Sequence, residues 1–219
     1  MIIDIKNTKI YIISPGENKY RDRILTVMGR LIDEGFKNIT FFKSLSGPNN
    51  TASLTNTVIE IFKKELNNDQ PFIILEDDCA IFNSCDIIEV PESADVLYLG
   101  VALWSYPYSI DTLYNRNRPH IIPNSSNTVQ SYDEKLTRIK GMTSGHAIMF
   151  ISKEFVRTFI NKMTDISKYI DDMPHDLLFS SLHTIFNIYG LKNPMFYQDK
   201  LLGGQEDVTK LIFNGECYR

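Results

Sequence analysis

Cysteine is scarce: Cys79, Cys85 and Cys217 are the only three in 219 residues, and they form neither a C-x-x-C pair nor a paired framework. That usage excludes a disulfide-stapled scaffold and suits reduced thiols in a cytosolic-type compartment. No apolar run approaches the ~20 residues that a membrane helix needs. The opening stretch "MIIDIKNTKIYIIS" carries acidic and polar residues inside its apolar run and lacks the basic start of a signal peptide. The expectation is a soluble chain with no membrane span, located in the cytoplasm. An excess of either charge is missing too, with 23 Lys and Arg against 27 Asp and Glu, so nothing marks the chain for nucleic acid. P-loop and H-E-x-x-H motifs are absent.

What is present is a regular alternation of elements. "KIYIIS" reads as a strand and "PGEN" breaks it; Ile24, Val27, Met28, Leu31 and Ile32 then recur at helical spacing until Gly35. "NITFFKS" is a second strand and "GPNN" a turn. "TASLTNTVIEIFKKEL" is a helix with Leu54, Val58, Ile61, Phe62 and Leu66 near one face, and "PFIILEDD" is a third strand. The order β-α-β-α-β predicts an α/β fold: a mainly parallel sheet flanked by helices, in one domain spanning residues 1 to 219. "ADVLYLGVALW" and "HAIMFIS" are further strands and "KEFVRTFINKM" a helix. "MPHDLLFSSLHTIFNIYG" reads as one helix opened by Pro174 and closed by Gly190. Residues 104 to 138, rich in Tyr, Asn, Ser and Pro, read as a loop-rich insertion, either a binding loop or irregular surface. There Trp104, Tyr106 and Tyr108 offer aromatic faces for a bound ring or for the loop's own small core.

One segment stands out chemically. In "FIILEDDCAIF" an apolar strand ends in Glu76, Asp77 and Asp78. Ligands of open α/β sheets bind beyond the carboxyl ends of the strands. Three adjacent carboxylates repel one another unless a cation or hydrogen-bond donors are present. A hard divalent ion with positions open for diphosphate oxygens resolves that conflict, and a solvated acidic turn is the alternative.

The same segment resembles the I-L-E-D-D motif of GT-A glycosyltransferases, and in particular family 25, which includes lipopolysaccharide and collagen sugar transferases. "YIISPGENKYRDR", "DVLYLG", "TSGHAIMFISKEFVRTFI" and "MPHDLLF" resemble further family segments, in the family's order. Small glycosyltransferases of large DNA viruses are similar in length and plan, which makes the host cytoplasm the setting for a viral chain. There are departures: Leu54-Thr55-Asn56 stands where Leu-Ser-His is usual, and Ser14-Pro15-Gly16 where Asn-Leu-Asp/Glu is typical.

The resemblance implies a Rossmann-like GT-A domain that moves a sugar from a nucleotide-sugar donor, a UDP-sugar, to a hydroxyl of a glycan or glycoprotein, with inversion. It implies Mn2+ or Mg2+ held by Asp78, with Glu76 or Asp77 on the ribose or a metal-bound water. Ser14, Pro15, Arg21, Gly145, His146 and Gln205 fall on its donor side. Asp176 is the candidate general base, with Asp172 as its substitute. Each has a plainer reading: Asp176 as a carboxylate favoured by the helix dipole, Arg21 as a solvated charge, His146 as a structural histidine, and Gln205 as a turn residue. His175 is expected to pack on its helix's apolar side, and His183 is a weak metal candidate. A metal-dependent phosphotransferase or hydrolase, and a non-catalytic glycan- or nucleotide-sugar-binding module, remain alternatives.

Overall fold

The computed structural model describes residues 1–104, 129–141, 143–166 and 175–204. Expectations on Tyr106, Tyr108, Asp172 and Gln205 lie outside them. In chain order the described elements are β1 (Ile2–Asp4), β2 (Lys9–Ser14), α1 (Arg21–Asp33), β3 (Ile39–Lys43), α2 (Asn50–Glu65), β4 (Phe72–Glu76), β5 (Cys79–Ile81) and β6 (Ile87–Glu89). They continue with β7 (Val96–Trp104), β8 (Val129–Ser131), β9 (Leu136–Ile139), β10 (Thr143–Phe150), α3 (Lys153–Ile166), α4 (His175–Leu182), β11 (Ile188–Leu191) and β12 (Phe196–Gln198).

Eight strands form one sheet in the order β3-β2-β4-β10-β7-β11-β9-β8. β3, β2, β4, β7, β11 and β8 point one way, and β10 and β9 run against them. The fold is therefore mixed α/β with a large, mostly parallel central sheet flanked by helices, as the alternation of elements predicts. Two short ribbons, β1 with β6 and β12 with β5, complete it.

The apolar runs follow from burial on both faces of this sheet. Along β4, Phe72 and Ile74 join one core cluster while Ile73 and Leu75 join the other. The first cluster packs under α2, α3 and α4 through Val58, Phe62, Phe155, Phe159 and Phe179; the second packs under α1 through Val27 and Leu31. Edge-on aromatic contacts fasten the first, with Phe62 4.7 Å from Phe150 and 5.0 Å from Phe159 between ring centroids. Fully burying each such ring stabilises the fold by about 1.5–3 kcal/mol. The "GPNN" turn delivers the cap of α2, where Asn49 Oδ1 accepts from the Ala52 amide at 2.9 Å.

Glu65, the last residue of α2, is 2% exposed. Burial pushes its carboxyl up, but hydrogen bonds from Lys9, Tyr11 and Asn68 outweigh it and hold the pKa below the ordinary value.

Two expectations are corrected. The helix predicted to run from Pro174 to Gly190 ends at Leu182, and Ile188–Leu191 is a strand between β7 and β9. The Asp95 carboxylate accepts from the Asn187 amide at 2.7 Å where the chain turns away, and sheet pairing then overrides helical spacing. Ile32, expected on the buried face of α1, is 59% exposed, while Val27, Leu31 and the partly buried Met28 make that contact. Within and just beyond the segment read as a loop-rich insertion, the described β8 and β9 form a hairpin that extends the sheet.

Candidate active site

β2, β4 and β7 end on one edge of the sheet, and β10, running the other way, begins there. The register pairs Ile13 with Glu76 and Ala147 with Leu75, so Ser14, the acidic run and the start of β10 lie side by side. β4 stops at Glu76, and Asp77 and Asp78 form the turn into β5. Past the end of the strand, both aspartates meet Arg23. Its Nη2 lies 2.7 Å from Asp77 Oδ1 and 3.5 Å from Asp78 Oδ2. Gln198, at the end of β12, donates to Glu76 Oε2 at 2.9 Å and reaches Asp78 Oδ2 at 3.5 Å. The Ser14 hydroxyl hydrogen-bonds Asp77, and the Asp199 amide donates to the Asp78 carbonyl at 2.8 Å.

The electrostatics are those of crowded acids. Burial first, then the charges of Asp78 and Asp176, push Glu76 up to about 8, so it carries a proton at neutral pH. Burial also raises Asp77, against the opposing pull of Ser14 and Arg23. Asp78 is raised by burial and by Asp77, with Arg23 and Gln198 working against them. Asp176 stands in the first turn of α4, where its Oδ2 accepts from Ser144 Oγ at 2.8 Å. Asp77 Oδ2, Asp78 Oδ1 and Asp176 Oδ1 are buried with no hydrogen-bond partner among the described residues.

Those orphaned oxygens test the fit of a divalent ion. An all-carboxylate donor set suits Mg2+ or Mn2+. Among the described residues no group of three or more His, Cys, Asp or Glu is arranged to hold a metal. An ion at this edge would therefore take at most two protein carboxylates and need substrate oxygens to complete its shell, as Mg2+ does beside phosphates.

The other candidates are placed as follows. Ser14 is 1% exposed and against Asp77, while Pro15 and Arg21 are exposed at the rim. Gly145 is backed by a phenol ring: a Cβ there would meet Tyr98 Cδ1 at 2.4 Å. His146 is 2% exposed, donates from Nε2 to the Phe196 carbonyl at 3.2 Å, and is pushed down to about 4 by burial. Gly145, His146, Glu76 and His175 share a cavity of about 10 Å3, space for about one water. His175 packs edge-on against Phe179 at 5.3 Å, as its place on the helix predicts.

His183 is not near the acids in a ligating role. Its Nδ1 donates to the Gly141 carbonyl at 2.6 Å, which leaves Nε2 to accept from the Tyr98 hydroxyl at 3.2 Å. Burial pushes its pKa down to about 4. The helix ends at Leu182, so His183 stands in the turn beyond it and shares no helical face with Asp176.

Arg23, Ser144 and Gln198 are not singled out by the sequence. Arg23 stands two residues from Arg21, and the phase of α1 alone turns Arg23 inward. Ser144 lies within the "TSGH" segment. Gln198 carries no local signal.

An α/β sheet with an acidic cluster at its carboxyl edge is thus the class that fold and site define. No family model matches the chain, and no curated protein matches it. Solved structures give distant likenesses. One is a glycosyltransferase involved in glycosylating the major capsid of PBCV-1, with TM-score 0.40 and 11% identity over 72% of this chain and 67% of that one. A second is the nucleoside-diphosphate-sugar pyrophosphorylase from Vibrio cholerae RC9, with TM-score 0.41 and 13% identity over 83% and 70%. A third is mannose-1-phosphate geranyltransferase from Thermus thermophilus, with TM-score 0.43 and 9% identity over 89% and 76%. Values this low carry no activity over to the chain.

Proposed function

We propose that the chain is a glycosyltransferase moving a sugar from a nucleotide-sugar donor, a UDP-sugar, to an acceptor hydroxyl on a glycan or glycoprotein with inversion. The observation that supports it is the convergence of Glu76, Asp77, Asp78 and Asp176 at one sheet edge, with buried carboxylate oxygens left unpartnered. Asp78, with Glu76 beside it, is the residue to hold Mn2+ or Mg2+. When bound, such an ion offsets the charge that builds on the leaving nucleoside diphosphate. Asp176 takes the proton of the acceptor hydroxyl while that oxygen attacks the anomeric carbon, and the bond to the diphosphate breaks with its electron pair. Ser14 and Asp77 border the nucleotide side, with Arg21 and Pro15 at the rim. Ser144 fixes the base's orientation.

Thermal unfolding with nucleotides and nucleotide sugars, with and without Mn2+, tests this reading. A ligand at ~100 times its dissociation constant adds about 2.7 kcal/mol. For a chain of this size that is a shift of roughly 5–10 °C. A Mn2+-dependent shift with a UDP-sugar that Asp78→Asn abolishes, followed by release of UDP and a glycosylated acceptor, supports it. No shift with any nucleotide overturns it in favour of a hydrolase or a non-catalytic binding module.

A further inference from the structure

The acidic edge has unmet hydrogen-bonding needs of both signs. Asp77 Oδ2 and Asp78 Oδ1 are buried acceptors, and Arg23 Nε is a buried donor; none has a hydrogen-bond partner among the described residues. They do not satisfy one another, because the guanidinium already gives Nη2 to Asp77 Oδ1 at 2.7 Å and reaches Asp78 Oδ2 at 3.5 Å. Buried polar atoms in this condition are costly, so the cluster favours a third component. A diphosphate carrying a divalent cation offers positive charge to the two oxygens and negative oxygens to Nε at once.

Exposure indicates which group moves. The side chains of Asp77 and Asp78 are 9% and 12% exposed behind Arg23, which is 23% exposed. Arg23 rises from the first turn of α1, and its guanidinium stands 5.2 Å from the Tyr20 ring centroid. On another side it faces Gly203, which has a φ of 90° and no side chain to hem it in. The buried oxygens become reachable when this guanidinium shifts.

We infer that Arg23 is the resident cation of the acidic edge, and that it yields its place on Asp78 to the ligand's cation while turning its N–H groups to the diphosphate. The inference rests on the metal-diphosphate reading above and adds a positioning residue that couples the two ligands. A cation arriving alone must compete with a guanidinium that has nowhere better to go. A cation arriving with a diphosphate provides that guanidinium with a new anion. Each ligand then tightens the other by the same factor.

Calorimetric titration of MnCl2 into the full chain, without and with saturating UDP, tests this in the wild type, Arg23→Gln and Arg23→Lys. Arg23→Gln is expected to bind Mn2+ alone about tenfold more tightly than the wild type, and its gain from UDP to be about tenfold smaller. Arg23→Lys keeps the charge that buried Asp77 requires, so it folds even where Arg23→Gln does not. It should bind Mn2+ alone as weakly as the wild type yet lose most of the gain from UDP, because an ammonium lacks the guanidinium's fork. Unchanged or weaker Mn2+ binding by Arg23→Gln, or an undiminished UDP gain in Arg23→Lys, overturns the role of Arg23 and leaves the metal reading standing. Absence of Mn2+ binding by the wild type with UDP present overturns the metal reading, and this inference with it.

Discussion

Ser144 Oγ donates to Asp176 Oδ2 at 2.8 Å, fastening the start of β10 to the first turn of α4. The bond holds one carboxylate oxygen still. The other, Oδ1, lies 3.5 Å from His175 Nε2 and is the oxygen we assign to proton transfer. Asp176→Asn should lower kcat by ~10²–10⁴-fold with little change in the donor KM. Ser144→Ala should lower kcat less, since it frees the carboxylate without removing it. Steady-state UDP release measures both, and a wild-type kcat in Asp176→Asn would falsify the base assignment.

His183 gives a pH dependence of known sign. Its pKa of about 4 in the folded chain lies below the free value of about 6.5. An imidazole held neutral in this way contributes stability that is fully present above pH 6.5 and is lost as pH falls toward 4, by up to about 3 kcal/mol. Glu76, raised to about 8, works the other way: unfolding becomes easier as pH rises from about 4.5 to 8. Comparison of the wild type with His183→Gln cancels the Glu76 contribution. The difference in their guanidinium unfolding free energies should be constant above pH 7 and shrink between pH 6.5 and 4. A difference that does not vary with pH would mean that His183 titrates alike folded and unfolded, against the lowering expected from its burial.

Gly145, which the resemblance places on the donor side, is backed in the structure by the Tyr98 ring. A Cβ at 2.4 Å from the ring has to displace it, and the ring is tethered through its hydroxyl to His183. Gly145→Ala should therefore cost ~1–3 kcal/mol, the usual penalty for overpacking. The measurement is the melting midpoint without ligand, and a wild-type midpoint would show that Tyr98 has room to retreat.

The sequence reveals most where the cause is local. Phe72 to Leu75 are apolar without a break because both sheet faces are covered, and the Asn49 cap lies beside the helix it starts. β2, α1, β3, α2 and β4 are legible for that reason, as is the acidic run at the end of β4. β11 is not, because Ile188 and Tyr189 continue a helical spacing and become a strand only through pairing with β7 and β9. Arg23 and Arg21 are equivalent as letters, and the rotation of α1 decides between them. Gln198 meets Glu76 only because β12 pairs with β5.

The placement of β10 between β4 and β7 bears on how the chain acquires its site. The bonds that define the acidic edge join residues 54 apart for Arg23 and Asp77, 32 apart for Ser144 and Asp176, and 122 apart for Glu76 and Gln198. Closing loops of that length carries an entropic cost that local elements do not bear, and such contacts form slowly. The β2–α1–β3–α2–β4 unit and the turn after it hold Arg23, Asp77 and Asp78 within the first 78 residues, so their charge pairing can form early. Glu76 meets Gln198 only after β10 and β12 have docked. A growing or truncated chain ending before residue 198 therefore has its three acids and its arginine but not the amide that bridges two of them. Closure of the acidic edge thus reports on docking of the distal half of the sheet.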